Sequence, residues 1–155
     1  MNELRRKTLK SGGALGLFGM FVAAGLISPE VAMAAWDKKA FDTRTMEDAY
    51  AAIGSGSPAA SKDITITAPD IAENGAVVPV AVSSKLSKTE NIYILIEKNP
   101  SMLAASFAIP EGTEPEVTTR VKMGQTGNLQ VMVKADGRYY FATKEVKVTA
   151  GGCGG

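Results

Sequence analysis

From Asp63 onward, hydrophobic and polar residues alternate with a period of two, which is the spacing of a half-buried β-strand. The segments that follow this pattern are DITITA, AVVPVAVSS, NIYILIEKN, MLAASFAI, EVTTRVKMG, NLQVMVKAD and RYYFATKEVKVTA. Asp136-Gly137 is the strongest hairpin signal between them, because a two-residue turn of type I′ needs positive φ at both positions. About seven short strands at this spacing predict an all-β, immunoglobulin-like antiparallel β-sandwich over residues 63–149.

Two strands carry unusual residues. Pro79 lacks a backbone N–H, so we expect its strand to lie at a sheet edge or to carry a bulge there. The stretch IYILI at 92–96 is apolar on both faces, as in a strand that is covered on both sides. The second cover is either the N-terminal helix or another protein, and residues 92–107 are the preferred partner surface.

A short helix precedes the strands, within a segment of helix and linker over residues 35–62. Apolar residues spaced for one helical face predict it: Met46, Ala49, Tyr50 and Ile53. Thr45 is placed to cap its N-terminus, and the sequence GSGSP at 54–58 ends it. The helix either docks a partner or packs on its own sheet.

Residues 1–34 have the features of an export signal. Arg5 and Arg6 open a basic segment, an apolar stretch too short to span a bilayer follows, and Ala32-Met33-Ala34 provides small residues for cleavage. The arginine pair with the following Leu9 and Lys10 resembles a twin-arginine (Tat) signal, although Leu4 and Thr8 depart from its usual serine and phenylalanine. We therefore predict a periplasmic protein that is free of the membrane once the signal is removed; the alternative is an uncleaved anchor.

Composition excludes several kinds of function. The net charge of +1 gives no basic surface for nucleic acid. The chain contains no histidine, which removes the usual imidazole base and every histidine metal ligand. We expect no metal, no cofactor and no catalysis by this chain alone. Glu111, Glu114 and Glu116 are an acid–base candidate on paper, but a solvated turn explains them better.

The only cysteine, Cys153, lies in the C-terminal segment 150–155 between two glycine pairs, which are Gly151, Gly152, Gly154 and Gly155. Glycine supplies no side chain for packing, so this segment is predicted to be a mobile arm that exposes a thiol. Mobility is unsuited to catalysis, which needs fixed groups, but it suits a tether that presents covalently bound cargo to other proteins. Glycines also leave the arm thin enough for a narrow channel.

Other uses of the C-terminus stay open. Chains that end in Gly-Gly can be converted to a terminal thiocarboxylate, but that chemistry needs cytosolic ATP. A periplasmic interaction module that forms an intermolecular disulfide through Cys153 is a second alternative. A homodimer linked through Cys153 is compatible with either a carrier or such a module.

An exported all-β chain that ends in VKVTAGGCGG resembles the SoxY family, the sulfur-carrying subunits of the SoxYZ complex in bacterial thiosulfate oxidation. The stretches ENGAVVPVAVSS, IYILIEKNPSMLAASFAIP and TRVKMGQTGNLQVMVKA carry the resemblance further, over roughly residues 40–155. It implies a heterodimer with a SoxZ-type subunit. It also implies that a SoxAX-type haem enzyme links thiosulfate to Cys153, and that a SoxB-type hydrolase then releases sulfate. A SoxCD-type dehydrogenase oxidises the remaining sulfane sulfur, or the sulfur is passed on.

Overall fold

The computed structural model describes residues 38–149. The predicted alternation over 63–149 is realised as strands. Two helices come before them: α1 Lys38–Phe41 and α2 Met46–Ile53. The strands are β1 Ala59–Ala60, β2 Ile64–Thr67, β3 Ile71–Ala72, β4 Val78–Ser84, β5 Thr89–Ile96, β6 Leu103–Ala108, β7 Glu116–Val121, β8 Gly127–Ala135 and β9 Arg138–Val148. Every strand longer than two residues overlaps one of the segments that the alternation marked, although β5 begins at Thr89 and β8 at Gly127, ahead of their segments. The two shortest strands, β1 and β3, carry no periodic signal.

The strands form two sheets. One has the order β1-β9-β8-β5-β6, and β3 pairs with the far end of β9; the other has the order β2-β4-β7. The short strands β1 and β3 run parallel to β9, whereas the longer strands pair antiparallel. The predicted all-β sandwich is therefore confirmed. The predicted domain boundaries at 34/35, 62/63 and 149/150 stay predictions.

The core lies between the inner faces of the two sheets. Alternate residues of β5 and β8 point inward and meet alternate residues of β4. These fully buried side chains are Ile92, Ile94, Ile96, Leu129, Val131, Val133, Val78, Val80 and Val82. Their burial fixes the register of each strand, because a slip by one residue would turn the whole apolar set toward solvent.

Helix α2 covers part of the outer face of the larger sheet. Ala49 is fully buried and packs in one cluster with Leu95, Leu103 and Met132. The Thr45 hydroxyl accepts a hydrogen bond from the Asp48 backbone N–H at 3.1 Å, so the predicted N-cap is confirmed. Of the two roles considered for this helix, packing on its own sheet is the one observed.

The strand that contains Pro79 is not at an edge, contrary to our expectation. β4 is the central strand of the smaller sheet, and its pairing with β7 has no register shift at Pro79. The pairing with β2 ends at Thr67↔Ala81, so Pro79 has only β7 beside it. The Ser84 N–H bonds to the Pro115 carbonyl, and alternation along the ladder then turns the Pro79 nitrogen away from β7. No sheet bond is lost at Pro79 because β2 has already ended.

The hairpin between β8 and β9 forms where it was predicted. Ala135 pairs with Arg138, and the two residues between them, Asp136 and Gly137, have φ of 49° and 72°. Glycine reaches this region without the steric cost that a β-carbon brings. The turn therefore sets the register of β9, the strand that leads to the C-terminal segment.

Candidate functional site: the root of the C-terminal segment

The predicted site residues lie outside the described residues. They are Cys153, the glycines Gly151, Gly152, Gly154 and Gly155, and the signal residues Arg5 and Arg6. Within the described range, the chain reaches Thr149, four residues before Cys153. The described part of this region is the root of the C-terminal segment, which is the end of β9 together with the residues around it.

Backbone hydrogen bonds hold the end of β9 against β3 and the turn after it. The Lys147 N–H donates to the Asp70 carbonyl at 2.9 Å, and the Thr149 N–H donates to the Ala72 carbonyl at 3.2 Å. The Thr149 hydroxyl bonds to the Glu73 carbonyl at 3.5 Å. The chain is thus anchored up to Thr149, so any freedom of the cysteine segment begins after that residue.

Thr126 anchors the same strand from the side of β8. Its hydroxyl oxygen accepts a hydrogen bond from the Val148 N–H at 2.9 Å and lies 3.4 Å from the Val148 carbonyl oxygen. Val146, two residues earlier on β9, is fully buried in the core. The root is therefore fixed by hydrogen bonds on two sides and by the core.

Gly75 makes the close packing at the root possible. Its carbonyl accepts a hydrogen bond from the Met123 N–H at 2.7 Å. A β-carbon at this position would lie 2.4 Å from the Met123 carbonyl oxygen and 2.7 Å from Val148 Cγ1. Any larger residue would have to displace the backbone after β7 or the Val148 side chain at the end of β9. Glycine is required here by space and not by φ.

The opposite end of the sandwich carries an open groove. It has a volume of about 500 Å³ and lies between the segment 86–90 and the segment 109–115. Glu111 lines it, while Glu114 and Glu116, the other members of the acid–base candidate, are exposed on the loop and at the start of β7. The solvated-turn interpretation of these carboxylates agrees with their exposure.

The groove is too far from the root for the cysteine of the same chain. β9 starts beside Ala135 at the groove end and runs through 11 residues to Val148, a span of about 33 Å at the usual rise per residue. Four extended residues beyond Thr149 reach about 13–14 Å. Four residues are therefore too few to span the distance from Thr149 back to the groove.

An ion pair near the groove joins two neighbouring strands of the larger sheet. Lys134 Nζ lies 2.7 Å from Glu90 Oε2. The hydrogen bond from Lys134, and then that from the Gly137 N–H, lowers the pKa of Glu90; the same contact with Glu90 raises the pKa of Lys134. Burial raises the pKa of the nearby Tyr93 hydroxyl. Both partners of the ion pair thus stay charged around neutral pH, and the pair ties β5 to β8 near the hairpin.

The preferred partner surface, residues 92–107, is largely covered within the chain. Ile92, Ile94 and Ile96 face the opposite sheet, whereas Leu95 and Leu103 pack with α2. The residues that stay exposed are Lys98 and Pro100 after β5, and Ala104 and Ser106 on β6, followed by Ala108 at its end. β6 is also an edge strand of its sheet.

Sequence reasoning missed the contribution of residues 70–77 to the root. β3 is two residues long and pairs in parallel with the end of β9, so no period of two could reveal it. The sequence Glu73-Asn74-Gly75 marked a turn, but nothing in it indicated which strand the turn would touch. That contact is made between residues more than 70 positions apart.

Two features are absent from residues 38–149. No three acidic or metal-ligating side chains converge there in a way that could hold a metal ion. Neither helix of this part is long and apolar enough to cross a membrane.

Comparison with known proteins gives a family match. The profile of the family described as sulfur oxidation protein SoxY matches residues 49–153. A solved structure of the sulfur carrier protein SoxY from Chlorobium limicola f thiosulfatophilum is 44% identical, covers 66% of this chain and 96% of its own, and superposes with a TM-score of 0.59. A superoxide reductase (neelaredoxin) from Ignicoccus hospitalis is 23% identical over 64% of this chain and 87% of its own, with a TM-score of 0.49. None of the curated proteins matches the chain.

Proposed function

This chain belongs to the SoxY family of sulfur oxidation proteins, and on that premise we propose that it is a sulfur carrier that holds thiosulfate-derived intermediates on Cys153. The observation that carries the proposal is the extent of the family match, which runs from residue 49 to Cys153 itself. Cys153 is also the only cysteine, so any thiol chemistry of this chain takes place there. The chain acts as a covalent substrate carrier, and separate enzymes perform catalysis.

Loading of the carrier is an oxidation. The Cys153 thiol and thiosulfate form a new S–S bond, giving the S-thiosulfonate, and release one proton and two electrons, which a SoxAX-type haem enzyme accepts. A SoxB-type hydrolase then adds water across the bond between the outer sulfur and the sulfonate group, which releases sulfate and two protons and leaves the Cys153 persulfide as its anion. The sulfane sulfur loses six electrons with the addition of three waters at a SoxCD-type dehydrogenase, or it is transferred to another acceptor.

The root supports this use of the cysteine. Because Thr149 is fixed by hydrogen bonds to β3, the four residues after it set the distance over which the thiol is delivered. That distance is about 13–14 Å when the segment is extended. The chain has no histidine to act as a base toward Cys153. An ordinary thiol is only a few per cent ionised near neutral pH, so the partner enzymes activate it.

Localisation follows from the N-terminal signal. The Arg5-Arg6 pair directs the chain to the Tat pathway, so that it folds before export and works in the periplasm. An oxidising compartment suits a carrier whose first step is the oxidation of a thiol. It also permits a homodimer linked through Cys153, which a reductant returns to the working thiol.

Mass spectrometry of the intact mature chain tests the carrier function. After incubation with thiosulfate and a SoxAX-type enzyme, we expect one adduct of a thiosulfonate group, which a SoxB-type enzyme shortens to one added sulfur atom. Cys153→Ser is the matched control and should take up nothing. An adduct that survives this substitution, or no adduct on the natural chain, contradicts the proposal.

The partner subunit is a second small β-domain of SoxZ type, and the edge strand β6 is the surface that we expect to pair with it. The Ile109 N–H donates to the Glu90 carbonyl at 2.8 Å. By the alternation of an antiparallel ladder, the backbone groups of Ser106 and Ala108 then point away from β5. β6 carries no charged residue and no proline, the usual protection of an edge. An edge strand of the partner satisfies these donors and acceptors by β-augmentation.

Hydrogen exchange with and without the second subunit tests this contact. Exchange at the Ser106 and Ala108 amides should slow on association. The edge of β7 serves as an internal control. Its outward residues include the charged Glu116 and Arg120, which disfavour pairing with another strand, so the amides along β7 should exchange at the same rate with and without the partner. Unchanged exchange along β6 would exclude this edge, while the chemistry of Cys153 would be unaffected.

A further inference from the structure

Within residues 38–149, the methionines fall into two pairs that differ in exposure. Met123 and Met132 are fully buried, at 1% and 0% exposure. Met46 and Met102 are partly exposed. Oxidation of a thioether requires that the oxidant reach the sulfur atom, so it follows exposure. A small oxidant in solution therefore meets Met46 and Met102 first.

Both accessible methionines lie where the N-terminal helices meet the larger sheet. Met46 is the first residue of α2, and Met102 directly precedes β6. Their side chains pack against one buried cluster, which joins Ala40 and Ala49 of the helices to Leu95, Leu103 and Met132 of the sheet. We call residues 38–53, which lie over this cluster, the strap. Packing of the two thioethers is thus part of what holds the strap on the sheet.

Hydrogen bonds connect the strap to β9 and to the start of β6. The Tyr139 hydroxyl donates to the Ile53 carbonyl at 3.1 Å. The Met102 N–H donates to the Thr43 carbonyl at 3.0 Å. This second bond covers a backbone donor at the start of an edge strand. Release of the strap would leave that donor without its partner.

Hydrogen peroxide converts a methionine thioether to a sulfoxide in one two-electron step. The sulfur donates an electron pair to one peroxide oxygen, the O–O bond breaks, and the other oxygen leaves as water with both hydrogens. The product carries a polar S=O group in place of an apolar sulfur. Its oxygen is a hydrogen-bond acceptor, and the aliphatic side chains of Leu95 and Leu103 offer it no donor. Packing of the sulfoxide against them is therefore unfavourable.

We propose that Met46 and Met102 form a reversible, peroxide-sensitive latch whose oxidation releases the strap from the outer face of the larger sheet. The released strap uncovers Leu95 and Leu103, and it frees the Met102 N–H at the start of the β6 edge. Enzymes that reduce methionine sulfoxide close the latch again. The latch is independent of the carrier function, because it needs only peroxide and the folded sandwich.

Mass spectrometry of peptides tests which methionines react. The full mature chain is used with the substitution Cys153→Ser, which leaves peroxide no thiol to attack. After brief exposure to hydrogen peroxide, Met46 and Met102 should each gain one oxygen atom at least about ten times faster than Met123 and Met132, which react only when the structure opens.

Amide hydrogen exchange of the oxidised chain tests whether the strap is released. The N–H groups of Ala49 and Ser55 bond to carbonyls within or beside α2 at 3.1 and 3.0 Å, and they should exchange at least about tenfold faster after oxidation. The Lys147 N–H bonds to the Asp70 carbonyl at 2.9 Å, on the other side of the sandwich edge. It should exchange as before, because only the strap comes away.

Met46→Leu/Met102→Leu is the matched control. Leucine keeps the apolar character and nearly the volume of methionine but has no sulfur to oxidise. Peroxide should leave exchange at Ala49 and Ser55 unchanged in this variant. A methionine sulfoxide reductase should return the oxidised parent chain to its starting exchange rates.

Several results would overturn the latch. One is equal oxidation of the buried and the accessible methionines, and another is unchanged exchange at Ala49 and Ser55 after oxidation of Met46 and Met102. A third is faster exchange at Lys147 as well, which would mean that the whole sandwich opens. Faster exchange in the peroxide-treated leucine variant would assign the effect to a different residue. The carrier function would stand in each case, since the adduct on Cys153 of the natural chain decides it.

Discussion

At the scale of single residues, Gly75 shows how a position far away in the sequence helps to fix the end of β9, from which the cysteine segment begins. Its missing β-carbon lets the turn after β3 approach both the Met123 carbonyl and the Val148 side chain. The sequence Asn74-Gly75 indicates a turn, for which glycine is common because of its backbone freedom. The structure gives a different reason: the φ of Gly75 is not in the left-handed region, and the space beside it is filled.

Gly75→Ala should therefore destabilise the fold. The added methyl would approach a backbone oxygen to 2.4 Å, and the overpacking should lower the free energy of unfolding by about 1–3 kcal/mol. Gly124→Ala is the matched control, since its nearest neighbour would be 3.9 Å away. It should be neutral or stabilising by up to about 1 kcal/mol through the unfolded state. Urea unfolding measures both, and equal effects of the two substitutions would contradict the packing argument.

At the scale of elements, helix α2 was predicted by its spacing and its cap, but its docking was not. The periodicity of Met46, Ala49, Tyr50 and Ile53 identifies an apolar face without naming the surface that covers it. In the structure that surface is the outer side of β5, β6 and β8. A polar contact adds to it: the Tyr50 hydroxyl donates to Gln130 Oε1 at 2.5 Å, and Gln130 is only 8% exposed.

Tyr50→Phe should cost more than the loss of one exposed hydroxyl. It leaves the buried Gln130 oxygen without this donor, and the free energy of unfolding should fall by about 1–3 kcal/mol. Tyr140→Phe is the control, because the Tyr140 hydroxyl makes no hydrogen bond to the residues at 38–149. Its ring is also partly buried and packs against a hydrophobic cluster, as the ring of Tyr50 does. It should change stability by less than about 0.5 kcal/mol. If the two variants unfold at the same urea concentration, the contact with Gln130 contributes nothing.

At the scale of the whole molecule, the sandwich acts as a holder that fixes the start of the cysteine segment at one end. The hairpin at Asp136-Gly137 starts β9 beside the groove, and the strand then crosses the sheet to the root. Ladders with β8, β1 and β3 hold it along the way. Under the proposed carrier function, the reach of the thiol is therefore set by the length of chain after Thr149.

Moving the cysteine within the segment tests this length directly. Gly151→Cys combined with Cys153→Gly keeps composition and chain length but shortens the reach from about 13–14 Å to about 7 Å. Release of sulfate by the hydrolase should fall about a hundredfold or more, since small errors in position already cost that much. Modification by a small thiol reagent should change less than about twofold. An unimpaired hydrolase rate would mean that reach does not limit delivery.

The position of the sheet edges was the part of the fold that sequence reasoning judged wrongly. Pro79 was expected to mark an edge strand or a bulge, yet β4 is central and regular. A proline needs a free edge only at its own position in the strand. At Pro79 that condition is met, because the neighbouring strand β2 has ended there although β4 is central elsewhere. The length of β2, which ends at Thr67, decided the matter and cannot be read from β4.

The sequence alone determined the longer strands, because a period of two assigns each side chain to one face of a strand. It also led to the proposed chemistry, because a single cysteine among glycines and the absence of histidine leave few uses for the C-terminus. Only the tertiary structure decided what lies next to what: the helix on β5 and β8, the turn at 73–75 against the end of β9, and β3 alongside that same end. These contacts join residues distant in the chain, and local patterns carry no record of which distant surface will meet them.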